Sequence, residues 1–203
     1  MTTLDKLIAH FERFPGIGAR QAKRFAFHLL RQDASHIAEL SALIADLPAV
    51  MTECESCARY FARNGHGTLC TICAAANRDR SQLLVVEQDS DIQPVERSGY
   101  EGLYFVLGGT VPLLHQEEGR KVRGPRLKEL VTSRLSEGLS EIILGFAVNP
   151  DGENTARYVE TLLAPVLSGS SAKISHLGRG LSTGSELEYA DPETIKSALK
   201  NRD

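Results

Sequence analysis

The chain has no tryptophan, only two methionines and only four cysteines in 203 residues, and its aromatic content is 6%. Apolar residues still make up 42% of it, so core-forming material is ordinary, and the length suits one large domain or two to three small ones. No apolar run approaches the ~20 residues of a membrane-spanning helix, which excludes that class of membrane protein. The opening Met1-Thr2-Thr3-Leu4-Asp5-Lys6 lacks the charged-then-apolar pattern of a signal peptide. The expected location is therefore cytoplasmic, and a reducing compartment disfavours disulfides. Internal repeats and low-complexity tracts are missing too, which leaves a globular, non-repetitive chain.

What is present is unevenly distributed. Residues 1–80 carry ten Lys/Arg against eight Asp/Glu, and residues 81–203 carry thirteen against eighteen, so a net of +2 precedes a net of −5 within the overall −3. The first thirty-one residues hold six basic groups and two acidic ones. A basic head on an acidic body points to a nucleic-acid contact at the N-terminus.

The four cysteines form two Cys-x-x-Cys pairs, Cys54/Cys57 and Cys70/Cys73, with twelve residues between them. Each pair presents two thiolates from a tight turn, and the loop between brings the pairs face to face. This spacing suits one tetrahedral Zn²⁺. A redox dithiol needs only one such pair, and buried free thiols have no reason to gather within twenty residues. Four thiolates leave no open position for water, so the expected metal is structural rather than catalytic.

Leu4, Leu7, Ile8 and Phe11 predict a helix over 3–13. Ala22, Phe25, Ala26, Leu29 and Leu30 predict a second over about 19–31, and Ile37, Leu40, Ile44 and Leu47 a third that ends near Pro48. Residues 54–73, with Gly65 and Gly67 at the tip, read as a small ribbon. After Arg80 short all-apolar runs take over: Leu83–Val86, Tyr104–Leu107 and Ile142–Phe146 suit strands buried on both faces. Helical patterns at about 125–137 and 153–167 alternate with them, which implies a mainly parallel sheet with helical crossovers. A short strand at Ala172–Ser175, a Gly/Ser-rich loop over 178–185 and a helix over about 192–200 complete the chain. The expected boundaries fall near 51 and 80. They give a helical segment 1–50, a cysteine segment 51–80, an α/β segment 81–171 and a C-terminal strand-loop-helix 172–203.

Two sites follow. In Phe14-Pro15-Gly16-Ile17-Gly18-Ala19-Arg20, two glycines let the backbone turn sharply around Ile17, which can plug the two helices. The amides of Gly16, Gly18 and Ala19 then face outward at a helix N-terminus, where dipole and free N–H groups favour a phosphate. Arg20, Lys23 and Arg24 follow within reach. This resembles the helix-hairpin-helix motif, which grips the nucleic-acid backbone without reading sequence. Phe25 and Phe27 read as core. At the sheet, Glu87 follows the first strand and Asp151-Gly152-Glu153 the third. Strand C-termini share one edge in a parallel sheet, so these carboxylates can converge as a Mg²⁺ site. The order resembles the Toprim domain. Carboxylates at helix N-termini are also ordinary caps, and the chain offers no separate domain to carry a tyrosine nucleophile over the acids.

Hairpin, four-cysteine ribbon, Toprim-like domain and glycine-rich tail, in that order, resemble the bacterial recombination mediator family RecR. The matching stretches are Pro15-Gly16-Ile17-Gly18 with Arg24 to Leu30, the cysteine spacing, Val85-Val86-Glu87, Asn149-Pro150 with Gly152-Glu153 and Thr155-Ala156, Arg179-Gly180-Leu181, and Gly184 to Tyr189. The resemblance implies a non-enzymatic DNA-repair protein, cytoplasmic and nucleoid-associated. It also implies a ring-shaped homotetramer on gapped DNA that acts with RecO and RecF to load RecA, with segment 172–203 packed on a neighbouring subunit. At Glu87, Asp151 and Glu153 it implies a partner-docking surface as much as a metal site. The alternative is a small Toprim metal-dependent nuclease or primase-like enzyme. Asp151 stands where the family pattern leads one to expect Glu, and Ser182 where Pro is expected. Residues 110–124 hardly match, and His115 and Arg120 to Arg126 read as a lineage-specific basic loop or, in preference, a solvated turn.

Overall fold

The computed structural model describes residues 1–63, 67–113, 122–178, 180, 181, 184, 188, 190 and 192–200. Gly65, His115, Arg120, Arg179, Ser182 and most of the stretch from Gly184 to Tyr189, singled out above, lie outside the described residues. The chain divides into two compact units, Met1–Thr52 and Glu53–Asp203.

The first unit is helical: α1 (Thr3–Glu12), α2 (Ala19–Leu29) and α3 (Ala34–Val50). Thr2 and Asp5 form a reciprocal capping box at the start of α1, and Asp33 caps α3 by accepting from His36 N at 2.8 Å. Hydrogen bonds from Thr2 hold the Asp5 carboxyl below the usual carboxylate range. Pro48 does not end α3 as the sequence suggested. The helix runs two residues further, because the lost amide costs one bond near the terminus and Met51 N–H closes the last turn on Leu47 O.

The strand β1 (Met51–Glu53), which spans the division, and β2 (Tyr60–Ala62) make a two-stranded sheet, and in the second unit α4 (Thr71–Ala74) carries Cys73 with Cys70 as its N-cap. The main sheet is β3 (Asp79–Val86), β4 (Gly102–Val106), β5 (Glu141–Gly145) and β6 (Lys173–His176), ordered β4-β3-β5-β6 and parallel throughout. Its crossovers carry α5 (Ile92–Arg97), α6 (Gly124–Leu135) and α7 (Pro150–Leu167), and α8 (Pro192–Lys200) follows β6. Helices alternating with apolar strands were expected. The additions are α5 and the polar first turn of β3, Asp79 to Gln82, whose bonding the apolar run alone did not announce. Helix α7 starts three residues before its apolar pattern because Asn149 caps it and Pro150 fits the first helical position.

Period-two alternation divides the strands between two cores. Leu83, Val85, Leu103, Phe105, Ile142 and Leu144 face α6 and α7, meeting Leu127, Val131, Val159 and Leu163. Leu84, Val86, Tyr104 and Val106 face the other way, against all four cysteines, Ile72 and Ile92. The cysteine segment thus shares with α5 the layer that helices alone cover in most parallel sheets. On that face Arg78 and Glu96 form an ion pair, and Tyr104 O–H donates to Glu96 Oε1 at 2.7 Å.

The Arg78 guanidinium holds the Glu96 carboxyl below the usual range, with help from Tyr104. A depressed folded value means this contribution is complete above the ordinary glutamate range and is lost as pH falls through the folded value. Glu96→Gln is therefore expected to cost about 1.5–3 kcal/mol near neutral pH, the scale of hydrogen bonds to charged groups. The cost should shrink below pH ~4, as followed by urea unfolding across pH. A cost independent of pH would contradict this assignment.

Candidate metal centre and nucleic-acid interface

Cys54, Cys57, Cys70 and Cys73 are all buried, and their sulfurs lie within 4.8 Å of one another. Among the described residues they are the one set of three or more His, Cys, Asp or Glu side chains placed to hold a metal ion. Cys57 Sγ and Cys70 Sγ are 3.6 Å apart, and Cys70 N–H donates to Cys54 Sγ at 3.3 Å. Crowding by the neighbouring thiols holds the Cys54 thiol below its ordinary value and, with burial, pushes that of Cys57 above it. Four sulfurs so close and so buried cannot all ionise unless a cation joins them. The donor set fits a closed tetrahedral site.

The turn that presents the first pair is fastened to the sheet and to α6. Cys57 O accepts from Val106 N at 2.8 Å, at the end of β4. Ala58 sits at φ +62 with its methyl in the core, a left-handed conformation held by its amide bond to Cys54 O at 3.0 Å. Arg126 donates to Cys54 O at 2.5 Å and Glu55 O at 2.8 Å. Arg126 and Arg123 also pair with Glu53, and Arg123 donates to Val106 O at 3.3 Å. The sequence suggested a solvated turn here. The structure corrects that for Arg123 and Arg126, because the carbonyls of the cysteine turn and the Glu53 carboxylate accept from guanidinium forks some seventy residues away.

At the hairpin, Gly16 takes φ +72, Ile17 N–H donates to Phe14 O at 3.1 Å, and Ile17, in the turn that joins α1 to α2, is half-buried. Gly18 is the N-cap of α2 and has no side chain to satisfy the first turn. Among the described residues, no protein group accepts from the amides of Gly16, Gly18 or Ala19. Arg20, Lys23 and Arg24 are exposed, and none pairs with a carboxylate among the described residues. Arg24 Nη1 donates to Gln21 Oε1 at 3.0 Å.

Phe25 and Phe27 depart from expectation: they are 41% and 51% exposed. The buried stripe of α2 is Ala22 and Ala26, small residues that let α1 approach closely. Phe25 reaches Phe11 edge-on at 5.9 Å from the border of that stripe, and Phe27 lies outside it.

Glu87 and the Asn149–Glu153 segment follow neighbouring parallel strands, β3 and β5, at one sheet edge. Their carboxylates do not gather into a metal-holding set among the described residues. Glu87 is half-buried and accepts from Gln88 Nε2 at 3.0 Å. Asp151 Oδ1 accepts from Leu113 N at 3.0 Å, Thr155 Oγ1 accepts from Val111 N at 2.8 Å, and Asn154 Nδ2 donates to Val111 O at 2.9 Å. The first turns of α7 therefore hold the segment that follows β4. Asn154 and Thr155 are the residues that sequence reading missed in this role.

Three family descriptions match the chain: "RecR, helix-hairpin-helix" over residues 4–47, "Toprim domain" over 81–177 and "RecR, C-terminal" over 180–202. The chain is 36% identical over 200 residues to the "Recombination protein RecR" of Ruegeria pomeroyi, covering 98% of this chain and 95% of that one. It is 37% identical over 198 residues to the protein of the same name in Chloroflexus aggregans, covering 97% and 91%. It is 33% identical over 203 residues to that of Legionella pneumophila, covering 100% and 98%. With the hairpin, the cysteine centre and the parallel sheet in the matching order, the chain belongs to the RecR family of recombination proteins.

Proposed function

We propose that this chain is a non-enzymatic DNA-binding mediator of recombination repair. In this reading, residues 1–50 grip the DNA backbone without regard to sequence, through the amides of Gly16 and Gly18 and the cations Arg20, Lys23 and Arg24. Residues 51–80 hold one structural Zn²⁺ through Cys54, Cys57, Cys70 and Cys73. Residues 81–171 offer Glu87, Asp151 and Glu153 to a partner protein more than to Mg²⁺. Residues 172–203 join neighbouring subunits of a ring-shaped tetramer. The protein works in the cytoplasm, on gapped DNA at the nucleoid, with RecO and RecF as partners and the loading of RecA as the outcome.

The observation that carries the DNA contact is a set of cations with no carboxylate partner among the described residues, beside helix N-terminal amides with no acceptor among them, at one hairpin. A polyanion supplies what that surface lacks. Each phosphate contact releases counterions, so log affinity falls with log salt by about 0.9 per contact on duplex DNA. Lys23→Ala with Arg24→Ala should lower affinity for all sequences alike and flatten the salt slope by roughly 1.8, two contacts' worth. Fluorescence anisotropy on duplex and gapped DNA over a salt series measures both. An unchanged slope would remove the hairpin from the interface, and Mg²⁺-dependent cleavage of the gapped DNA, lost in Glu87→Gln, would replace the mediator with an enzyme. Solution mass with and without DNA tests the ring.

A further inference from the structure

Arg134 lies on α6, is 7% exposed, and donates through Nη2 to Ser56 Oγ at 2.8 Å. Ser56 stands between Cys54 and Cys57, so the guanidinium faces the turn that presents the first cysteine pair. No carboxylate pairs with Arg134 among the described residues. A guanidinium cannot shed its proton, and a charge taken out of water needs a counter-charge.

The surroundings point to where that counter-charge comes from. Arg123 and Arg126 share one acid, Glu53, so these three residues and Arg134 sum to +2. Glu55 and Arg59 on the same turn add one charge of each sign. A divalent cation held by four thiolates carries −2. We infer that Arg134 is a counter-ion of the metal–tetrathiolate centre, its positive charge beside the first cysteine pair, rather than its hydrogen bond to Ser56, stabilising the fully ionised cysteine set. The inference rests on the metal reading of the four cysteines and extends it: the site is matched in charge to a divalent ion with all four sulfurs deprotonated. A merely structural Arg134 would serve Ser56 and the packing of its own stem, and its charge would not matter.

The test is a chelator competition on the full-length zinc-loaded protein, with thermal melts of each variant. Arg134→Met keeps length and removes charge, and it should weaken zinc binding about 10–100-fold, the range for loss of an outer-shell partner. Arg134→Lys keeps the charge and should recover most of that loss. Ser56→Ala removes the hydrogen bond alone and should change affinity little. Ser56→Asp hands Arg134 a carboxylate of its own, and should weaken zinc binding about tenfold or more while leaving the cation in place. If Arg134→Met does not fold, Ser56→Asp decides the matter. Zinc affinity unchanged in Arg134→Met or in Ser56→Asp, or lost equally in Arg134→Lys and Arg134→Met, overturns the counter-ion role. Wild-type protein that retains no stoichiometric metal overturns the metal reading itself, which is a separate result.

Discussion

Cys70→Ser is expected to release the metal and to destabilise the sheet as well as the cysteine turn. Cys70 is fully buried, its amide donates to Cys54 Sγ at 3.3 Å, and it caps α4, which carries Cys73. Removing it deprives the ion of one ligand and places a hydroxyl among three sulfurs. Structural zinc contributes on the order of 10 kcal/mol to folding in small peptides, comparable to the ~5–15 kcal/mol that stabilises a whole domain. The loss does not stay local, because the cysteines share one core with Leu84, Val86, Tyr104 and Val106. Once the turn loosens, that face of the parallel sheet meets water, and a parallel sheet needs both faces covered. At roughly 2–4 °C per kcal/mol for a unit of this size, even partial loss should lower the melting temperature by about 10 °C or more. Metal content after gel filtration and a circular-dichroism melt record the two effects together. A soluble variant that melts like the parent while lacking metal would show that packing alone holds the turn.

Much of this architecture was legible because its signals are local. Two Cys-x-x-Cys pairs encode their own turns, Pro15-Gly16-Ile17-Gly18 encodes a sharp reversal, and Leu83–Val86 encodes a strand with no wet face. What was hidden depends on partners far along the chain. Arg126 reads as one more basic residue until the carbonyls of Cys54 and Glu55, more than seventy positions earlier, come within 2.5 and 2.8 Å. Nothing in Cys54-Glu55-Ser56-Cys57 says that the turn will cover one face of a sheet beside a helix. Phe27 misled for the opposite reason: residue type was read as burial, whereas the small Ala22 and Ala26 fill the α1–α2 contact and leave the ring outside. Asp151 could be read as cap or as ligand. The amide of Leu113 decides its observed role, and that residue lies in a stretch with no periodic pattern.

Gly152→Ala is expected to be the most disruptive single-methyl change at the acidic edge. Gly152 is buried in the first turn of α7, and a Cβ there would stand 2.0 Å from Ala147 O and 2.9 Å from Ala147 C. Both are backbone atoms, so no side-chain rotation relieves the overlap. Either α7 retreats or the β5–α7 loop moves. Overpacking of this kind costs about 1–3 kcal/mol, and more where backbone must shift. The retreat also stretches Gly152 N–H from the capping Asn149 Oδ1, now at 2.8 Å, which adds about 1 kcal/mol. The consequence reaches past stability. Asp151, Asn154 and Thr155 ride on the same turns and hold the backbone of Val111 and Leu113, so displacing α7 releases that segment. If the acidic edge is where a partner docks, Gly152→Ala should abolish partner binding while salt-dependent DNA binding by the Lys23–Arg24 hairpin persists, because the hairpin belongs to the other unit. Calorimetric melting and hydrogen exchange at Val111 and Leu113 would register the release. Unchanged protection at both amides would mean that this segment is held independently of α7.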